Sequence, residues 1–206
     1  MIEGSILPAW QGRAGSACGM DEVGRGALAG PLVAAAVILP HGFSHPLLRD
    51  SKLLSESQRE EVEPFIRHAA LALRVEAVPV PVIDRRGVGW ANRIAFERLI
   101  RQVTAEAYLA DGNLRLRTGR SYRSVVGGDR LVPAISAASI VAKVHRDRLM
   151  RKLHPRFPHY GWDENKGYGT PHHLLALQRH GPCRHHRLSF LHPSAPELFA
   201  DALASV

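Results

Sequence analysis

Four acidic residues stand where the chain leaves a strand-like run. Asp21 and Glu22 close the apolar segment that begins at Ala17, Asp111 closes a later one, and Asp129 follows the glycine pair Gly127-Gly128. In α/β sheets, side chains at strand ends can converge on one crevice, and carboxylates gathered there repel one another unless cations neutralise them. Their hard oxygens suit Mg2+ or Mn2+. The chain holds nineteen acidic residues, however, and Asp at a strand end commonly does no more than cap a turn, so spacing alone leaves both readings open. Gly24-Arg25-Gly26 follows the acidic pair directly. The two glycines would let backbone N–H groups approach a sugar or phosphate, with Arg25 between them as a charged donor; a plain tight turn is the other reading.

These residues need a sheet to hold them. Residues 17–21 and the apolar run 32–39 (LVAAAVIL), separated by a Gly/Pro turn, read as a hairpin in a core sheet. Ser55 with Gln58 forms a capping-box pattern that opens a helix running toward His68, and Pro64 should kink or shorten it. Leu71, Leu73, Val75 and Ala77 alternate as in a half-buried strand. After Asp84 and Gly87, a helix is predicted over 88–103 with Ala91, Ile94, Ala95 and Leu99 on one face. A strand ends at Asp111, a short one covers 124–126, and helix returns over 134–153. Thr170 caps and Pro171 opens a short helix that Gly181 ends, while Ser194 and Glu197 pattern a terminal helix over 196–204. Strand–helix alternation after an opening meander predicts an α/β sandwich with a mixed sheet over 17–155 and a small helical extension over 156–206.

Composition sets the setting. Over 206 residues, 45% hydrophobic and 22% charged is ordinary for a soluble globular protein, which argues against disorder and against a membrane class. Cytoplasmic residence and a monomer are the expectations, since neither a secretory pattern nor an apolar run of spanning length is seen. Cys18 and Cys183 are too few for a disulfide framework and are not spaced as a zinc pair. Net charge is +8, and between Lys143 and Arg187 ten Lys/Arg face three acids, so nearly all the excess lies in the C-terminal third. A phosphate backbone is the natural ligand for that stretch; a solvated basic face is the bland alternative. The histidine pairs His172-His173 and His185-His186 lack cysteine or carboxylate partners at ligand spacing, so phosphate contact or surface placement is preferred over zinc.

Longer strings decide between these alternatives. The run from Gly19 through Val37, GMDEVGRGALAGPLVAAAV, closely resembles the opening motif of the ribonuclease HII family, and Asp50-Ser51-Lys52 resembles its DSK element. Ala110-Asp111-Gly112-Asn113 is similar to its DGN strand end, and residues 128–147 (GDRLVPAISAASIVAKVHRD) to its GD…AASI.AKV.RD block. Lys166-Gly167-Tyr168-Gly169-Thr170 and residues 185–190 (HHRLSF) resemble the closing motifs. The resemblance spans about residues 18–193, in order.

It implies an RNase H-like three-layer sandwich with a mixed five-stranded sheet and a C-terminal helical extension. It also implies that Asp21, Glu22, Asp111 and Asp129 form the catalytic, metal-holding set. Asp147 is the rival for fourth place; Asp129 is preferred because the family's acid follows the glycine of the GD element, and Asp147 is then a helix residue paired with a neighbouring base. The resemblance further implies that Gly24, Arg25 and Gly26 read a ribose 2′-hydroxyl by backbone contacts and that Tyr168 stacks near the next sugar. Such a division is sensible, because the 2′-hydroxyl is what separates RNA from DNA at one nucleotide. Lys52, Lys143 and Arg146 are candidate phosphate contacts, or else ordinary ion-pair partners.

The implied activity is cleavage of the RNA strand of RNA/DNA hybrids and of duplex DNA containing single ribonucleotides. The implied chemistry uses two Mg2+ or Mn2+ ions about 4 Å apart, with Asp21 bridging them. Three departures stand out: Gly127 and Leu53 occupy positions where the family often has lysine, and Pro64 lies in the first helix. The competing readings are another nuclease on the same fold and a degenerate nucleic-acid-binding module; the latter predicts loss of a carboxylate, whereas all four positions are intact.

Overall fold

The computed structural model describes residues 17–48 and 54–191. The DSK element with Lys52, the Leu53 departure and the predicted terminal helix over 196–204 lie outside the described residues. Five strands form one mixed sheet: β1 (Ala17–Val23), β2 (Leu32–Ile38), β3 (Ala72–Val78), β4 (Ala107–Asp111) and β5 (Tyr122–Val125), in the spatial order β3-β2-β1-β4-β5. The predicted hairpin is present: β1 pairs antiparallel with β2, with Asp21 opposite Ala35 and Glu22 opposite Ala34. Every residue of β2 is buried, as a continuous apolar run between two neighbours demands. β1 runs parallel to β4, and β4 to β5.

The alternation read over residues 71–77 is not seen in the burial. β3 is an edge strand, and both Leu71 and Ala77 are exposed, because an edge has a neighbour on one side only. Helix α1 (Glu56–Ala69) opens with the expected capping box: Gln58 N–H donates to Ser55 Oγ, and Ser55 N–H donates to the Gln58 amide. Pro64 neither shortens nor ends it. The proline lies on the exposed side while Val62, Glu63 and Ile66 are buried, so water can take the place of the missing backbone donor.

Helix α2 (Val80–Arg86) went unrecognised in the sequence although Pro79, Pro81 and Gly87 frame it. Helix α3 (Val88–Gln102) lies where expected and buries Ala91, Ala95, Phe96, Leu99 and Ile100. The short α4 (Gly128–Leu131) and the long α5 (Pro133–Leu153) follow β5, and α6 (Trp162–Asn165) and α7 (Pro171–His180) complete the helices used below. Among the described residues, no helix is long and apolar enough to cross a membrane.

The chain divides into two compact units. One takes in β1, Val33–Ala77 and Asn92–Val144; the other takes in Gly24–Leu32, Val78–Ala91 and the chain from His145 onward. The segment after residue 155, expected as an extension, therefore shares a unit with two earlier pieces of chain. Its core gathers Ala29, Met150, Tyr160, Trp162, Ala176 and Leu177.

Inside that core two histidines face each other, and their tautomers follow from their partners. His186 Nδ1 accepts from Cys183 N–H (2.9 Å), so its proton is on Nε2 and points at His173 Nε2 (3.0 Å). His173 Nε2 also accepts from Trp162 Nε1–H (3.2 Å), and His173 Nδ1–H donates to the Tyr168 carbonyl (2.8 Å). Both rings are neutral. Burial lowers both pKa values, that of His186 to about 4 with His173 adding to the effect.

Between that value and the ordinary pKa near 6.5, the unfolded chain binds the proton that the folded chain refuses. Stability is therefore fully present above about pH 6.5 and is expected to fall as pH drops toward 4. In an Asp21→Asn background, which removes the opposing titration of that carboxyl over the same window, urea midpoints should show the loss, and His186→Gln, which cannot titrate, should flatten it. An equally steep curve in the variant would remove His186 from the cause.

Candidate active site

The parallel strands β1, β4 and β5 finish at the same sheet edge, and that geometry gathers the acids. Met20 is in register with Ala110, so Asp21 and Asp111 come next on adjacent strands, and Asp111 is in register with Val125 of β5. A cavity of about 400 Å³ opens there, lined by Asp21, Glu22, Val23, Arg59, Asp111, Ser139 and Lys143.

Asp21 is 5% exposed. Its Oδ1 accepts from Glu22 N–H (2.8 Å), and Ser139 hydrogen-bonds the same carboxyl. Burial, with the neighbouring charges of Glu22 and Asp111, pushes its pKa up to about 8 against the lowering effect of those hydrogen bonds. Asp111 is anchored by Gly128 N–H, which donates to its Oδ1 (2.7 Å). This bond explains the glycine: a Cβ on Gly128 would lie 2.6 Å from Ile135 Cδ1 and 3.2 Å from Val125 Cβ. Close approach of that backbone is what brings its amide to the carboxylate.

The structure thus brings Asp21, Glu22, Asp111 and Lys143 to one cavity. Asp129 sits one residue beyond the bond to Asp111, in the first turn of α4, but it is fully buried and does not line the cavity. Asp147 is buried on α5 in the other unit, where its charge acts on Arg146. Two polar lining residues escaped the sequence reading. Ser139 could have been found, because it precedes Lys143 by one helical turn and shares its face. Arg59 carries no such signal. Its Nη1 donates to the Leu54 carbonyl, and its approach to the acids is a product of the fold.

The second unit holds Gly24, Arg25, Gly26 and Tyr168, and here Arg146 takes a different place from the phosphate contact considered above. Instead of reaching for phosphate, its guanidinium is fully buried and donates to the carbonyls of Pro31 (3.0 Å), Lys166 (2.8 Å) and Ala29 (3.0 Å). It lies against the Tyr168 ring, 5.2 Å from the centroid, and against Gly24, where a Cβ would come within 2.2 Å of Nε. Arg187 is its counterpart, donating to the Gly30 carbonyl through Nε (3.0 Å) and Nη2 (2.9 Å) and to the Arg25 carbonyl through Nη1 (3.0 Å). Burial, with the nearby Arg146 charge, lowers its pKa to about 10.

The two buried cations hold the carbonyls of Arg25, Ala29, Gly30 and Pro31 inward. In a trans peptide the N–H points opposite to the C=O, so tying down the Arg25 carbonyl turns Gly26 N–H the other way, at a residue that is exposed. Tyr168 is half-buried beside them.

A mixed sheet of this order, with carboxylates at the ends of its parallel strands, is the architecture of the RNase H-like class. Residues 18–192 match the family model described as Ribonuclease HII. A ribonuclease HII of Burkholderia mallei is 49% identical over 175 residues, covering 84% of this chain and 82% of that protein. Among solved structures, the PCNA:RNase HII complex from Archaeoglobus fulgidus contains a chain 26% identical with a TM-score of 0.73, over 84% of this chain and 94% of that one. Bst-RNase HIII in complex with Mn2+ shares the fold at 19% identity and a TM-score of 0.63, over 98% of this chain and 74% of that one. The chain belongs to the ribonuclease HII family, and it is an endoribonuclease.

Proposed function

We propose that this enzyme hydrolyses the RNA strand of RNA/DNA hybrids and nicks 5′ to single ribonucleotides embedded in duplex DNA, leaving 5′-phosphate and 3′-hydroxyl ends. The observation that carries the reading is the convergence of Asp21, Glu22 and Asp111 on one cavity at the ends of parallel strands. Among the described residues, no three acid, histidine or cysteine side chains already stand as a formed metal shell. The donor chemistry nevertheless fits Mg2+ or Mn2+: hard carboxylate oxygens, mutually repelling, one of them held protonated at neutral pH until a cation favours its charge. Asp21, Glu22, Asp111 and Asp129 would hold a pair of ions. Bound there, such ions lower the pKa of an attacking water and neutralise charge at the leaving oxygen.

The chain's own residues do the rest. Ser139 and the Glu22 amide fix the Asp21 carboxyl, and the Gly128 amide fixes that of Asp111. Lys143 supplies positive charge at the cavity wall, suited to a phosphate. The turned-out amide of Gly26, backed by Arg187, is suited to a ribose 2′-hydroxyl, and Tyr168, backed by Arg146, to stacking on a sugar.

Cleavage of a labelled DNA duplex carrying one ribonucleotide tests the reading. The wild type should nick 5′ to the ribonucleotide with Mg2+ or Mn2+ and not with EDTA; Asp129→Asn should lose at least a hundredfold in rate, whereas Asp147→Asn should retain cleavage. If the wild type binds RNA-containing duplexes but cuts none of them, the reading is wrong. If nicking survives Asp129→Asn but not Asp147→Asn, the fourth carboxylate is misassigned while the function stands.

A further inference from the structure

Beyond the basic C-terminal third, the first unit carries a second basic segment. From Gly112 through Gly128 the chain holds Arg115, Arg117, Arg120 and Arg123 and no acidic residue. All four are exposed, and none has a carboxylate partner among the described residues. Elsewhere in the same unit, two exposed arginines are paired, Arg67 with Glu63 and Arg98 with Glu76.

The segment is also held in place. Leu114 N–H donates to Ser124 Oγ (3.1 Å), which in turn donates to the Leu114 carbonyl (2.9 Å). Leu116 N–H donates to Tyr122 Oη (2.9 Å), and Arg117 N–H donates to the Glu97 carboxylate (2.8 Å). Leu116 is buried, while Arg115 and Arg117 on either side of it are exposed. Mutually repelling cations are therefore anchored side by side by bonds from β5 and α3, an arrangement that does nothing for the free protein and lowers the ordering cost of binding an anion.

We propose that residues 115–117, with Arg120 and Arg123 adding to the field, form a contact track for the phosphate backbone of the duplex that flanks the scissile bond. The track begins four residues from Asp111. At full extension that places Arg115 at most about 14 Å and Arg117 about 21 Å from the catalytic strand end by Cα distance, inside the roughly 34 Å of one duplex turn. A polyanion carrying one charge per about 1.7 Å of axis is the ligand such a row fits. This inference rests on the proposed nuclease function.

The test is binding of a fluorescein-labelled 20-base-pair DNA duplex containing one ribonucleotide, in EDTA, across salt concentrations, for the full chain and for Arg115→Ala/Arg117→Ala. The expected result is roughly tenfold to fiftyfold weaker binding at 0.1 M salt, with the slope of log K against log salt reduced by about two. In the presence of Mg2+ the loss should appear in KM rather than in kcat. Arg98→Ala, which removes an arginine paired with Glu76, serves as the control and should leave the slope alone. Affinity and slope unchanged in the double variant would overturn the proposal and leave the segment to an acidic protein partner. Cleavage by the wild type at saturating substrate checks the nuclease reading separately, so failure of one is distinguishable from failure of the other.

Discussion

Asp21→Asn is expected to abolish cleavage and, in metal-free buffer at pH 8, to yield a more stable protein than the wild type. Both results come from one cause. In the folded chain the Asp21 carboxyl has its pKa raised to about 8, first by burial and then by Glu22 and Asp111. An acid whose folded pKa lies above its unfolded value near 3.8 contributes stability at low pH and loses it as pH rises toward 8, because the folded state holds a proton that the unfolded state has released. Each pKa unit corresponds to about 1.4 kcal/mol, and with relaxation of the site the penalty is on the order of 2–4 kcal/mol.

Asparagine removes that cost while keeping the shape. Its carbonyl oxygen can still accept from Glu22 N–H, and its amide can still meet Ser139. At about 2–4 °C per kcal/mol for a chain of this size, the metal-free melting temperature should rise by roughly 4–16 °C. Millimolar Mg2+ should stabilise the wild type and not the variant, closing the gap, because a ligand that binds only the folded state shifts its stability. Loss of a ligand on which the chemistry depends should lower the cleavage rate by about a thousandfold or more. Calorimetry at pH 8 with and without Mg2+ decides the matter: a variant less stable than the metal-free wild type would contradict the account of Asp21.

Gly19→Ala is expected to do comparable damage with no charge involved. A Cβ at this position would lie 2.2 Å from Ala134 C, 2.3 Å from Ile135 N and 2.5 Å from Ala134 O, all backbone atoms where α5 begins. No side chain can swing aside to make room, so β1 and α5 must separate. Overpacking of this kind costs about 3 kcal/mol or more, or roughly 6–12 °C in melting temperature, and the site acids on β1 move with the strand.

Gly26→Ala is the informative contrast. Nothing lies within 4 Å of its added Cβ, so the melting temperature should stay close to that of the wild type, while the methyl stands on the exposed strip proposed to meet the ribose. Thermal melts of the two variants beside hybrid-binding measurements separate a glycine required by packing from one required by recognition. A Gly19→Ala protein that melts like the wild type would remove the packing argument.

Much of the architecture could be read from local pattern. The all-apolar β2, the capping box at Ser55, the Thr170 and Pro171 start and the Gly181 stop each depend on residues close together in the chain, and each is present as read. The shortening expected from Pro64 and the alternation after Leu71 misled, because solvent exposure and edge position are set by neighbours far away in sequence. The acids at the strand ends were visible one by one. Their convergence was not, because it depends on the parallel register of β1 with β4 and of β4 with β5.

What the sequence determined by itself was the inventory and the family: four carboxylates, the glycine-arginine-glycine strip and the ordered motifs from residue 18 to 192. Only the tertiary structure decided which charges meet at the cavity and which hold the frame. Arg146 and Lys143 stand three residues apart on one helix, and by type either could meet a phosphate. One turn of the helix carries Lys143 to the cavity wall and Arg146 into a buried cluster of carbonyls, where a guanidinium can remain only because its fixed fork of donors is satisfied by backbone oxygens. Residue type sets what a side chain can bind, and the long-range packing around it sets what it meets.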